Sequence, residues 1–290
     1  MGQIPIYSSK EHRPCFSGNY NKGLRFERFF LEDKKEENGE KKNSKGEFLS
    51  LFKGHCGNSS QLENFSIRQI ALAKSLNGNG HVYSLQGHFV TGMGNSHPVE
   101  NGFLWHYTLG VPYIPGSQVK GIVRGLIEQY FDGTEEDKKE ILYDWFGSED
   151  KDPKKCNSAS KVGSIIFFDA IPVSSPTLGV DIMTSHIGDW YAKGGEIERI
   201  ENDADKVPAD WHDPVPIPFL SVHNAKFLFT IAPRSGSKVN VEEVFACLEN
   251  ALQYLGAGAK TQTGYGYMNI DQEGQKNFAT TVEEKKKLQL

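Results

Sequence analysis

"NVEEVFACLENALQYLGAGAKTQTGYGYMNI", residues 240–270, decides how this chain folds. The first half has helical spacing, with Val241, Val244, Phe245, Leu248, Leu252 and Leu255 on one face. Asn240 suits the N-cap, Glu243 follows three residues later, and Gly256 suits the position just past the helix end. The last residues, "YGYMNI" (265–270), read as a strand. Between helix and strand lies "GAGAKTQTGYG" (256–266), and its glycines raise the question of a ligand.

Two nucleotide readings fail. A phosphate-binding P-loop would need glycine at 254 and 259, where Tyr254 and Ala259 stand, and it would open a helix rather than follow one. A dinucleotide fingerprint would need glycine where Thr261 stands. What remains is either a helix-to-strand turn or a loop whose bare backbone admits phosphates. In the second case Lys260, Thr261 and Gln262 supply charge and hydrogen-bond donors.

Working outward, "AKFLFTIA" (225–232) places Phe227, Phe229 and Ile231 on one face of a strand. "SIIFFDAI" (164–171) reads as one buried strand, and "VYSLQGHFV" (82–90) as a strand with Tyr83, Leu85 and Phe89 on one side. "GSQVKGIVRGLIEQYF" (116–131) predicts a helix with Ser117 as its N-cap. The resulting order is β-α-β-insertion-β-α-β, which predicts an α+β, ferredoxin-like (RRM-like) fold. We place a body at 81–290 with a long, irregular insertion at about 172–224. Residues 1–80 form an N-terminal extension, partly helical near 61–76, with a charged loop at 32–45. A second loop spans 147–162.

Lys120, Gly121, Arg124 and Gly125 lie off the apolar stripe of the 116–131 helix and form a basic face. A cation in the first turn opposes the helix dipole, which makes sense if an anion docks at that helix start. The alternative is an ordinary solvated surface. Gly92, Gly94, Asn95 and His97 form a polar loop just after the first strand.

Composition narrows the function classes. The chain has 290 residues, 38% of them hydrophobic, which suffices for a substantial core. No apolar run is long enough to span a membrane, and no secretory signal opens the chain. Cys15, Cys56, Cys156 and Cys247 form no CxxC pair, which argues for a reduced, cytoplasmic protein without a zinc ribbon. No cofactor motif is present. The net charge is −5, but Glu196–Asp213 alone carries seven acids and two bases, so the rest sums to zero and leaves room for a local basic groove.

These motifs resemble the RAMP superfamily, the repeat-associated subunits of CRISPR effectors. "GAGAKTQTGYG" is similar to its glycine-rich loop, "PYIPGSQVKGIVR" (112–124) to its helix start, and "IIFFDAIP" (165–172) to its second strand. "DIMTSHIGDWY" (181–191), "DPVPIPFLSV" (213–222) and "GMGNSHPVENGFLWHYTLGVPYIPGS" (92–117) narrow the resemblance to the branch that supplies the sixth subunit of type III-B Cmr modules. The resemblance covers about 81–270. It implies a non-catalytic subunit that caps a filament of backbone subunits near the 3′ part of a guide RNA (crRNA). Implied partners are the guide, target RNA, the backbone RAMP subunit, a small helical subunit and the other terminal RAMP subunit. The family pattern sets Lys120, Arg124, Gly258, Lys260, Thr261 and Gln262 against RNA, with Gly94 and Asn95 nearby.

Some family members cut RNA, using a general-base histidine or a loop aspartate with a metal ion. Candidates here are His88, His97, Asp181, His186, Asp189, His212 and Asp213. Asp181, His186 and Asp189 fall within nine residues and are the expected metal cluster if the chain is instead a metal-dependent endoribonuclease.

Overall fold

In the computed structural model the described residues are 16, 20–30, 36–37, 40–41, 44–148, 161–185, 190, 194–197, 199, 203, 207 and 215–288. The helices are α1 Lys22–Arg28, α2 Ser44–Ser50, α3 Ser59–Ser75, α4 Gly116–Tyr130, α5 Glu135–Phe146, α6 Val241–Tyr254 and α7 Gln272–Leu288. The strands are β1 Glu36–Glu37, β2 Glu40–Lys41, β3 Gly54–His55, β4 Asn79–Leu85, β5 Ser96–His97, β6 Glu100–Asn101, β7 Ile165–Phe167, β8 Ile171–Pro172, β9 Thr177–Ser185, β10 Val215–Asn224, β11 Lys226–Pro233 and β12 Met268–Ile270. Cys15, Cys156, His186, Asp189, His212, Asp213 and most of the acidic run and the second loop lie outside the described residues.

The main sheet runs β12–β4–β11–β7, with β8 also on β11, and every pairing is antiparallel. Phe227, Phe229 and Ile231 of β11 enter the core with Phe245, Leu248 and Leu252 of α6 and Val119 and Val123 of α4. The other face of the strand is also covered. Leu228 and Ile70 of α3 close over Gly80, where a Cβ would stand 2.7 Å from the Ile70 Cδ1. Burial on both faces explains why β11 is a continuous apolar run.

The 164–171 run, expected as one strand, divides into β7 and β8. Asp169 causes the break. Its carboxylate leaves the ladder and accepts the Gly116 N–H at 2.7 Å, while its carbonyl accepts from Gln69 Nε2 at 2.8 Å. Helix α4 is therefore capped from a distant segment. Ser117, the expected cap, lies inside the helix, and Pro115 takes the cap position with no side-chain bond of its own.

The stretch expected to be irregular contains β9 and β10, which pair in register from Val215–Ser185 to Val222–Leu178; β3 joins the far edge of β9. Prolines misled the reading. Pro216 and Pro218 share the parity of Val222, whose N–H points outward to Phe89 O at 2.8 Å, so their missing N–H groups fall on the open edge and cost no ladder bond. Within the charged run expected as a loop, β1 pairs with β2. Helix α7 was not anticipated. Its Gln275 continues the ladder past β12, accepting from Val82 N at 2.8 Å and donating to Gly80 O at 3.1 Å.

Helices α1 and α2 bring Phe26, Phe48 and Phe52 against Trp105 and His97. His97 stacks on Phe26 with centroids 4.1 Å apart. Its Nδ1 accepts from Val99 N, and Nε2 lies 2.9 Å from the Phe26 carbonyl. These partners fit a neutral ring with the proton on Nε2. Burial pushes its pKa below 6.5, against a smaller upward pull from the Phe26 carbonyl. Burial lowers those of His81 and His106 likewise.

All three histidines bind protons more weakly when folded. Between those lowered values and 6.5 the unfolded chain carries more protons, so stability rises with pH. Melting temperature should be full at pH 7.5 and fall as pH drops below about 6.5. His97→Gln should be less stable at pH 7.5 yet show a shallower pH dependence; scanning calorimetry at pH 7.5 and 5.5 checks both.

Candidate nucleic-acid interface

The glycine-rich loop leaves α6 through Gly256, whose φ is +73° and whose N–H closes on Ala251 O at 3.0 Å. The loop then lies along residues 88–90. Ala259 N donates to Val90 O at 2.8 Å, and Gly266 N donates to His88 O at 2.7 Å. Two glycines are required by this approach. A Cβ on Gly258 would meet Val90 O at 2.1 Å, and one on Gly266 would meet Ala257 O at 1.9 Å. Much of the glycine content therefore serves backbone packing.

The middle of the loop is different. Thr261–Thr263 forms one 3-10 turn, with Lys260 and Gly264 in left-handed conformations on either side. The N–H groups of Gly258, Lys260, Thr261 and Gln262 have no backbone acceptor among the described residues. Gln262 is exposed, and Lys260 sets its ammonium 5.3 Å from the Phe219 ring centroid. These four expected site residues thus sit together, and they hold the donors that the fold leaves unused.

Gly94 and Asn95 follow a few residues after Val90 in an exposed turn, where Asn95 N bonds Gly92 O at 3.0 Å. Lys120 and Arg124 lie on another element with partners of their own. Lys120 Nζ donates to Phe146 O at 3.1 Å, and Arg124 Nε meets Glu128 Oε1 at 2.6 Å. The anion expected at the start of α4 is supplied within the chain, by Asp169.

Beneath the loop is a cluster that sequence proximity missed. Asp181 of β9 accepts from Tyr265 OH at 3.0 Å and lies 3.0 Å from His88 Nδ1 and 3.2 Å from His223 Nε2. The two imidazoles stack at 3.8 Å with 7° between their planes. His223 falls where the β9–β10 register slips between Val222 and Asn224, a bulge that re-aims its side chain. Gly179 makes room for it: a Cβ there would come within 2.1 Å of the ring.

Burial works to raise the Asp181 pKa, but hydrogen bonds from Ser221, Tyr265 and His88 and the nearby His88 charge hold it below the usual carboxylate value. Burial and the bond to Asp181 push the Tyr265 hydroxyl up to about 12. His88 and Asp181 were among the cleavage candidates, but grouped with the wrong neighbours. His223 becomes visible only once Phe219 is paired with Asp181 in the hairpin. His97, another candidate, is buried with both ring nitrogens occupied.

Asp181→Asn should cost about 1–3 kcal/mol and Tyr265→Phe about 1 kcal/mol in chemical denaturation at neutral pH. A depressed carboxylate stabilises above its unfolded pKa near 3.8 and loses that contribution as pH falls through the folded value. The gap between wild type and Asp181→Asn should therefore be full above about pH 4 and close in stronger acid.

The model of the RAMP superfamily matches residues 78–269. Over 236 residues the chain is 30% identical to the CRISPR system Cmr subunit Cmr6 of Pyrococcus furiosus, spanning 63% of this chain and 65% of that protein. Among solved structures, one chain of a cryo-EM structure of the type III-B Cmr-beta bound to cognate target RNA superposes with a TM-score of 0.54 at 19% identity, covering 86% of this chain and 80% of that one. The crystal structure of Cmr6 from Pyrococcus furiosus is 27% identical over 67% of this chain and 98% of that chain, with a TM-score of 0.36. With two-thirds of its length matched by the family model, the chain belongs to the RAMP superfamily.

Proposed function

We propose that the chain is a non-catalytic, RNA-binding structural subunit of a type III-B CRISPR effector, the counterpart of the Cmr6 relative. The observation that carries this reading is the 30% identity to that protein. The loop chemistry supports it: free N–H groups at Gly258, Lys260, Thr261 and Gln262 beside a lysine ammonium suit a sugar-phosphate backbone without base readout. The β12–β4–β11–β7 sheet with α4 and α6 supports a ferredoxin-like body at 81–290, with 1–80 as its extension.

In this reading the subunit caps the backbone filament at the 3′ part of the guide RNA in the cytoplasm. Its neighbours are the backbone RAMP subunit, the small helical subunit and the other terminal RAMP subunit, and target RNA passes nearby. No helix among the described residues is long and apolar enough to cross a membrane. Gly94, Asn95, Lys120 and Arg124 extend the contact outward from the loop. Lys260 dominates, because Lys120 and Arg124 already hold Phe146 and Glu128.

Reconstitution with partner subunits and guide RNA tests the assignment. Replacing Lys120, Arg124 and Lys260 with alanine should weaken RNA retention and reduce the log–log salt slope by about two, at ~0.7 per single-strand phosphate contact. Lys260→Ala alone should account for the largest share. Unchanged affinity and slope in the triple variant would remove these residues from the interface. Incubated with Mg²⁺ or Mn²⁺, the purified chain should leave RNA intact; cleavage abolished by Asp181→Ala would replace this reading with an endoribonuclease.

A further inference from the structure

We propose that His88, Asp181 and His223 form a two-histidine, one-carboxylate site for a divalent transition-metal ion, which fastens the glycine-rich loop to the β9–β10 sheet. Donor atoms of the three residues lie within 4.8 Å of one another. Two imidazole nitrogens and one carboxylate are the donor set of zinc, cobalt and iron(II) centres rather than of magnesium or calcium.

The three ligands come from separate segments. His88 follows β4, Asp181 stands on β9, and His223 occupies the β10 bulge. The site is shaped for them, since Gly179 leaves the space that the His223 ring fills. Asp181 is well covered, with its side chain 16% exposed, while His88 at 43% and His223 at 35% give an ion a way in from solvent. Outer partners are also in place. Ser221 Oγ lies 3.0 Å from His223 Nε2, and Tyr265 OH holds the Asp181 Oδ2. Such partners orient metal ligands and tune their basicity.

In the described arrangement each imidazole points a nitrogen at one Asp181 oxygen. A metal ion takes the place of the protons between them. An imidazole binds metal in its ring plane, and planes stacked 3.8 Å apart do not share an in-plane ion about 2 Å from both nitrogens. Coordination must therefore turn at least one ring out of the stack, and the more exposed His88 is the one free to turn. His88 O and Tyr265 anchor the loop to the same residues, so the ion stiffens the loop without entering it.

Titration of the chelator-stripped full chain with Co²⁺, followed by visible absorption and by calorimetry, tests the site. One Co²⁺ per chain should bind, displaced by Zn²⁺ and not by Mg²⁺. Zn²⁺ should also raise the wild-type melting temperature relative to EDTA. His223→Gln and Asp181→Asn should each weaken Co²⁺ binding by at least the ~10–100-fold typical of losing an outer partner. Gly179→Ala keeps all three ligands but crowds the His223 ring, and it should weaken binding as well. Cys56→Ala should leave binding unchanged, which separates the site from adventitious thiol capture. The proposal is overturned if wild type shows neither stoichiometric Co²⁺ binding nor stabilisation by Zn²⁺, or if folded His223→Gln and Asp181→Asn bind as tightly as wild type. RNA retention is read separately, through Lys260→Ala, so a failure here leaves the assembly reading standing.

Discussion

Residues 88–90 are only three long, yet both edges of that short backbone are occupied. On one side Phe89 exchanges N–H and C=O with Val222, at 2.9 and 2.8 Å. On the other, the carbonyls of His88 and Val90 accept from Gly266 and Ala259. Extended backbone presents its polar groups alternately to left and right, so one strand-like segment can serve two partners. Here the partners are the end of the β9–β10 hairpin and the glycine-rich loop. Remove that segment and the loop has nothing to lie against, and the hairpin loses its link to the body.

The glycine-rich loop thus has two kinds of position. Gly258 and Gly266 exist because backbones approach too closely for a Cβ. The turn between them is held from below by Asp181 through Tyr265. A carboxylate that is 16% exposed needs several donors to remain ionised, and it draws them from three chain segments. That requirement orders the neighbourhood more tightly than apolar packing would, because each donor must point at one of two oxygens.

The sequence made the body legible wherever a single element carried its own period and its own caps. Helix α6 is the clearest instance: Asn240 accepts from Glu242 N, and Gly256 takes the left-handed position. Legibility failed where a residue's partner is remote. Asp169 looks like part of an apolar strand, and its role at the α4 terminus depends on a segment 53 residues away. His223 and Asp181 are 42 residues apart and meet only through hairpin register. Proline counting also failed, since the harm a proline does depends on which edge its nitrogen faces. The loop residues at 258 and 260–262 were readable because they are contiguous; Lys120 and Arg124 looked free because Phe146 O and Glu128 are not visible as partners in a linear pattern.

The outer edge of β10 carries a further consequence. An open strand edge ordinarily invites another chain to extend the sheet. Pro216 and Pro218 remove the donors that such an extension would use, while the apolar surface of Val215 and Ile182 stays exposed beside them. A neighbouring chain can meet this hairpin through side chains alone, and backbone-templated stacking stops there. The hairpin is sticky without being polymerisable, which suits a protein crowded against repeated copies of related folds.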